Sequence, residues 1–68
     1  MSFGDNLKRI RERRDISQAQ LANAVGIAQP TIAQYEKGIK QPTVATAVYI
    51  ARRLGTTCEE LVEGSEAV

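Results

Sequence analysis

The stretch that most constrains the fold is residues 17–38, where two short helical patterns are separated by one glycine and closed by another. Ser17 can cap a first helix, whose apolar residues recur at helical spacing at Leu21, Ala22 and Val25. Gly26 stands where that helix needs a left-handed residue, and Gly38 ends a second helix predicted over 29–37. The pattern predicts two helices held by a short turn, and a plain helical hairpin inside a small bundle has the same spacing.

Two further helices have the same apolar periodicity. Helix 1 is predicted from Asp5 to Arg14, and its apolar stripe consists of Phe3, Leu7 and Ile10. Helix 4 is predicted to start at a Thr43 cap and to end at Gly55. Its predicted buried residues are Val44, Ala47, Ile50, Ala51 and Leu54.

The C-terminal part of the chain predicts a short last helix and a tail. Thr57 and Glu60 have the spacing of a capping box, which begins a helix through Val62. Residues 64–68 have too little apolar content to pack and are predicted to form a flexible tail. Because 68 residues with 43% hydrophobic content suffice for one core, residues 1–63 are predicted to be a single all-α domain, a compact five-helix bundle.

Several short motifs follow one another along the chain, at residues 7–11, 17–22, 26–27, 31–38, 42–44, 50–55 and 59–62. Their order and spacing, from Leu7 to Val62, resemble the phage repressor and Cro type of helix-turn-helix domain, the XRE family. The resemblance implies a lambda-repressor-like domain in which helices 2 and 3 form the helix-turn-helix. It also implies sequence-specific binding to double-stranded DNA, usually as a homodimer, and the regulation of transcription.

Composition excludes several kinds of site. Cys58 is the only cysteine and the chain has no histidine, so neither an internal disulfide nor histidine acid–base catalysis is available. We therefore expect no enzyme activity, no cofactor and no metal, and we expect Cys58 to be a small buried apolar residue. No segment has the roughly 18 apolar residues of a membrane span, and residues 1–4 do not lead into a signal peptide. A cytoplasmic protein of prokaryotic or phage origin is expected.

The formal net charge of +1 hides an uneven distribution. Up to Lys40 the chain has seven Lys or Arg against four Asp or Glu, whereas the remainder is acidic. Phosphate attraction depends on the local face rather than on the total charge, so the front of the chain suits nucleic acid. A run of charges is more often only a solvated helix face, and this is the role that we favour for Arg9, Arg13 and Arg14.

Two charges fall beside predicted buried stripes. Arg11 comes four residues after Leu7, and Glu36 comes four residues after Ile32, which places each about 40° from its stripe. A partly buried charge is tolerated when it is paired, and a guanidinium can bind a carboxylate through two hydrogen bonds. We predict an Arg11–Glu36 salt bridge, which the resemblance also implies; the alternative is that both side chains extend to solvent.

The outer face of helix 3 is the candidate reader of bases. Side-chain amides of Gln29 and Gln34 suit adenine N6 and N7 in the major groove, and Thr31 can reach a phosphate or a thymine methyl group. Surface glutamines are often only polar filler, but the resemblance places both at base-reading positions. Without an arginine on this face, we expect A·T pairs to be read directly.

Other polar residues flank that helix in the sequence. The resemblance implies that Gln18, at the start of helix 2 beside its Ser17 cap, contacts a phosphate together with the helix amides. The loop after helix 3 supplies four more candidates for the DNA backbone: Lys37, Lys40, Gln41 and Thr43. Binding through such contacts is expected to weaken as salt rises.

The outer side of helix 4 is a candidate dimer interface. Tyr49 lies opposite the buried stripe, with Val48 and Arg52 beside it, and the 56–62 segment is a candidate contributor. An isolated exposed tyrosine is also ordinary.

Two functions remain open: a repressor-like transcriptional regulator, or a protein-interaction module or antitoxin-type partner of the same fold with little DNA binding of its own.

Overall fold

The computed structural model describes residues 2–63, without the side chain of Glu63. This part of the chain consists of five helices joined by short loops: α1 (Phe3–Arg13), α2 (Gln18–Val25), α3 (Gln29–Lys37), α4 (Val44–Leu54) and α5 (Cys58–Glu63). The predicted all-α five-helix bundle is confirmed. The predicted tail, residues 64–68, lies outside the described residues. None of the helices in residues 2–63 is both long and apolar enough to cross a bilayer.

Serine caps set where the first two helices begin. Ser2 accepts a hydrogen bond from the Asp5 amide and donates its own amide to the Asp5 carboxylate, so α1 begins two residues earlier than predicted. Ser17 makes the same reciprocal pair with Gln20, at 3.0 and 2.8 Å. Each capping box satisfies amides that have no partner within the helix.

Glycines end α2 and α3 as the sequence predicts, and both adopt the left-handed conformation, which was predicted for Gly26. The φ angles are +71° at Gly26 and +77° at Gly38. After Gly26 the chain turns back, because the Ile27 amide donates to the Ala22 carbonyl at 2.9 Å and the Ile27 side chain packs against the core. This turn sets the angle at which α3 leaves α2.

All five helices contribute to one core. Its fully buried apolar side chains are Leu7, Leu21, Ile32, Ile50, Leu54 and Leu61. Two sequence predictions at its edge are wrong. Val44 is 80% exposed because, as the first residue of α4, it lies at the open end of the helix, on the rim of a surface groove. Cys58 lines the same groove and is only half-buried.

Two hydrogen bonds and one close backbone contact hold α1 and the residue that follows it against the rest of the bundle. Asn6, completely buried, donates from Nδ2 to the Leu61 carbonyl at 3.0 Å. Arg14 donates from Nε to the Leu54 carbonyl at 2.6 Å and so binds the C-terminal end of α4, rather than being merely solvated. Gly4 lies so close to α3 that a Cβ atom there would be 2.5 Å from the carbonyl oxygens of Tyr35 and Glu36.

Candidate nucleic-acid interface

The predicted ion pair between α1 and α3 is present and buried. Arg11 Nε lies 2.6 Å from Glu36 Oε2, and Arg11 Nη2 donates to Glu36 Oε1 at 3.3 Å. The two side chains are 9% and 3% exposed. The third guanidinium nitrogen, Nη1, donates to the Ile16 carbonyl at 2.7 Å, so the guanidinium also holds the loop before α2. This bidentate geometry fixes the C-terminal half of α3 against α1.

Gln18 extends this ion pair toward the surface. Its Nε2 donates to Glu36 Oε1 at 2.9 Å, and its Oε1 accepts from Gln29 Nε2 at 3.0 Å. Sequence reasoning missed both bonds. Gln18 begins α2 while Glu36 lies near the end of α3, so only the angle between these two helices brings the side chains together.

The outer face of α3 carries the residues predicted to read bases. Gln29 and Gln34 are exposed, and Thr31 is half-buried. The helix begins at Gln29 without a side-chain cap, because Ala28 precedes it, and Pro30 occupies the first turn. Proline is tolerated there because the amides of a first turn have no helical partner. The opposite side of α3 is buried, so the polar face is presented from a fixed helix.

Apart from Gln18, the predicted backbone-contacting residues fall into two groups. Lys37, Lys40 and Gln41 are exposed around the end of α3 and the loop that follows it. Ser17 and Thr43 are helix caps: the Thr43 hydroxyl accepts from the Thr46 amide at 3.2 Å and pairs with the Thr46 hydroxyl at 3.0 Å. Their hydroxyl groups already accept capping hydrogen bonds at the starts of α2 and α4. A phosphate that bound these hydroxyl groups would do so alongside the capping bonds.

The outer side of α4 matches the predicted dimer surface in exposure. Tyr49 is 53% exposed, Arg52 is exposed and Val48 is half-buried. On the side of α4 that faces α5 lies the groove bordered by Val44 and Val62, which are 80% and 46% exposed. The sequence prediction did not include this groove.

The fold and motif spacing agree with a known family. Residues 7–61 match the HTH_3 helix-turn-helix family. This chain belongs to that family. The match runs from α1 into α5 and so includes every helix of the bundle.

Comparison with individual proteins agrees with this family assignment. The chain is 34% identical over 64 residues to RstR, the cryptic phage CTXphi transcriptional repressor of Vibrio cholerae, covering 94% of this chain and 58% of RstR. The P22 c2 repressor solved in complex with a synthetic operator superposes with a TM-score of 0.88 at 23% identity, covering 94% of this chain and 97% of that one. That likeness concerns the fold.

The same fold also forms part of longer chains. The iron(II) form of HppE, solved in complex with substrate, contains a region that matches with a TM-score of 0.83 at 33% identity, covering 88% of this chain and 35% of that one. This chain spans between 50% and 58% of the length of the first three curated relatives it matches.

Proposed function

We propose that this chain is a sequence-specific DNA-binding transcriptional regulator of the repressor type, with α3 inserted in the major groove. The observation that carries the proposal is the exposed polar face of α3, with Gln29 and Gln34, on a helix whose other side is buried and held by the Arg11–Glu36 pair. RstR is a transcriptional repressor and the P22 c2 repressor was solved with operator DNA, which supports the same role here. We expect the regulator to act in the cytoplasm, in a bacterial or phage setting.

Base reading falls to three side chains of α3. Gln29 and Gln34 can each accept from adenine N6 and donate to N7, while the Thr31 methyl group suits thymine. Positioning falls to the backbone candidates around the helix: Ser17, Gln18, Lys37, Lys40, Gln41 and Thr43. Contacts to phosphates carry no sequence information, so the two sets are separable by experiment.

The first test replaces Gln34, the predicted base-reading glutamine whose side chain has no structural role in the described part of the chain. Gln34→Ala should weaken binding to the preferred site about tenfold or more and remove discrimination at one base pair per half-site, because a bidentate amide contact is lost. Selection of fragments from random duplex DNA, followed by binding to a site varied at each position, measures both effects.

Gln41→Ala is the matched control, since it removes the same amide from a backbone candidate. We expect it to weaken all sequences alike and leave base preference unchanged. If Gln34→Ala retained the wild-type base preference, Gln34 would not be a reader of bases.

We also propose that the regulator binds as a homodimer through the outer side of α4, with Val48, Tyr49 and Arg52. A two-fold dimer would place its two α3 helices in successive major grooves, with half-sites about 34 Å apart. Exposed Tyr49 beside small apolar side chains has the composition of an interface anchor.

Tyr49→Asp should therefore shift the dimer toward monomer at micromolar concentration and weaken operator binding, while thermal unfolding of the domain changes little. Tyr49→Phe, which retains the ring, should remain dimeric. Sedimentation velocity distinguishes the two variants, and equal masses for Tyr49→Asp and the unmodified chain would rule out this surface.

A protein-interaction module or antitoxin-type partner is the second candidate function. It is favoured by the low charge of α3, on which Lys37 is the one cation, and by Ile39 just beyond, which is 71% exposed. The random-duplex selection separates the two functions, because a pure interaction module would enrich no DNA sequence.

A further inference from the structure

A small cavity lies between the loop before α2, the start of α2 and the end of α4. This α2–α4 cavity has a volume of about 240 Å³ and is lined by Asp15, Ile16, Gln20, Leu21, Ala24 and Arg53. None of these residues belongs to α3 or is a candidate for contacting DNA. We infer that the cavity binds a free aliphatic α-amino acid and holds both its ammonium and its carboxylate group. The inference goes beyond the proposed function and does not depend on it.

The α2–α4 cavity combines an apolar floor with a polar rim. Its floor consists of Ile16, Leu21 and Ala24, which are buried or half-buried, whereas its three polar residues are exposed. An aliphatic group placed on this floor would lose contact with water, while charged groups attached to it could stay at the rim. The volume of about 240 Å³ is below the roughly 300–1,000 Å³ of sites for drug-sized ligands. The cavity therefore suits a ligand of the size of leucine or valine.

The two charged residues of the rim have no partner within residues 2–63. Asp15 and Arg53 border the same cavity, yet they form no ion pair with each other, and no other described residue binds either charged group. A ligand with one ammonium and one carboxylate group can satisfy both charges at once. An amino acid carries these two groups on a single carbon atom. Its ammonium group would bind Asp15 and its carboxylate group would bind Arg53.

Gln20 supplies a second donor for the carboxylate of the ligand. Its Oε1 is already occupied, because it accepts from the Ser17 amide at 2.8 Å in the capping box of α2. This bond fixes the side-chain amide, whose NH₂ group has no partner in the described part of the chain. An NH₂ group can only donate, so it suits the carboxylate of an amino acid and not its ammonium group.

The backbone of Asp15 is an independent indication of a binding role. Its φ of +58° is the one left-handed value at a non-glycine residue among residues 2–63. A glycine would adopt this conformation without strain, and no hydrogen bond to the Asp15 carboxylate supports the turn within those residues. Strained positions of this kind cluster at ligand-binding sites. A ligand that binds the carboxylate accounts for the presence of Asp rather than Gly at this position.

Titration of the full chain with L-leucine, followed by ¹⁵N-correlated NMR, tests the inference. We expect amide shifts confined to residues 15–24 and the last turn of α4, half-saturated at about 1 mM, an affinity that is ordinary for so small a ligand. Isocaproate lacks the ammonium group of leucine, and isoamylamine lacks its carboxylate. Each should bind about tenfold more weakly or less, because one charge-assisted contact is lost.

Two variants remove one charge each from the rim with little change in size. Asp15→Asn and Arg53→Gln should each weaken L-leucine binding about tenfold or more. Arg13→Gln is the matched control, since Arg13 is exposed but does not line the cavity, and it should leave binding unchanged. Asparagine also tolerates the left-handed conformation, so Asp15→Asn should remain folded, and thermal unfolding of the three variants checks this.

Three results would overturn the inference. The first is the absence of shifts at these amides when L-leucine is about tenfold above the expected half-saturation. The second is equal affinity for L-leucine and isocaproate, because the cavity would then bind any small carboxylate. The third is unchanged L-leucine affinity in both Asp15→Asn and Arg53→Gln. Since none of these measurements uses DNA, their outcome is separate from that of the proposed function.

Discussion

Arg11→Ala should lower the free energy of unfolding by about 3 kcal/mol, because it leaves the buried Glu36 carboxylate without its charge partner. Among residues 2–63, the Glu36 carboxylate would keep only the hydrogen bond from Gln18, and the Ile16 carbonyl would lose its donor as well. Breaking one side of a buried pair costs more than the pair itself contributes, since the remaining charge stays desolvated.

Urea denaturation of Arg11→Ala, Glu36→Gln and the double variant measures the coupling between the two residues. We expect the double variant to be destabilised by much less than the sum of the single changes. Arg13→Ala is the control, because Arg13 is an exposed arginine of the same helix, and its replacement should change stability by less than about 0.5 kcal/mol. Strict additivity of Arg11 and Glu36 would contradict the prediction.

Gly4→Ala should destabilise the bundle by about 2 kcal/mol or more, although it adds a single methyl group. The new Cβ would lie 2.5 Å from two backbone carbonyl oxygens of α3, at Tyr35 and Glu36. No rotamer change relieves a contact with backbone atoms, so α1 must move away from α3. Because α3 is the proposed reading helix, we also expect weaker binding to the preferred DNA site.

Gly26→Ala separates this steric effect from backbone strain. Gly26 has φ +71°, and a methyl group added there would meet no atom within 4 Å. Alanine at this position should therefore cost only about 1 kcal/mol, through the left-handed conformation. Thermal unfolding of both variants gives the comparison. If Gly4→Ala were as stable as the unmodified chain, the close approach of α1 to α3 would be wrong.

The sequence by itself determined the features that depend on residues within one turn of each other. Ser17 caps α2 and Gly26 and Gly38 end helices, because capping and left-handed backbone are decided by neighbours a few residues apart. Helical phase was also enough to place Arg11 and Glu36 beside buried stripes, and opposite charge then made their pairing predictable.

Tertiary structure alone decided the contacts between residues that no local pattern links. The Gln18–Glu36 and Arg14–Leu54 bonds join positions 18 and 40 residues apart, and each depends on the angle at which two packed helices meet. Gly4 carries no sequence signal for its approach to α3. Val44 has the helical phase of a core residue and is exposed, because burial requires a neighbouring element opposite that side of the helix as well as the correct phase.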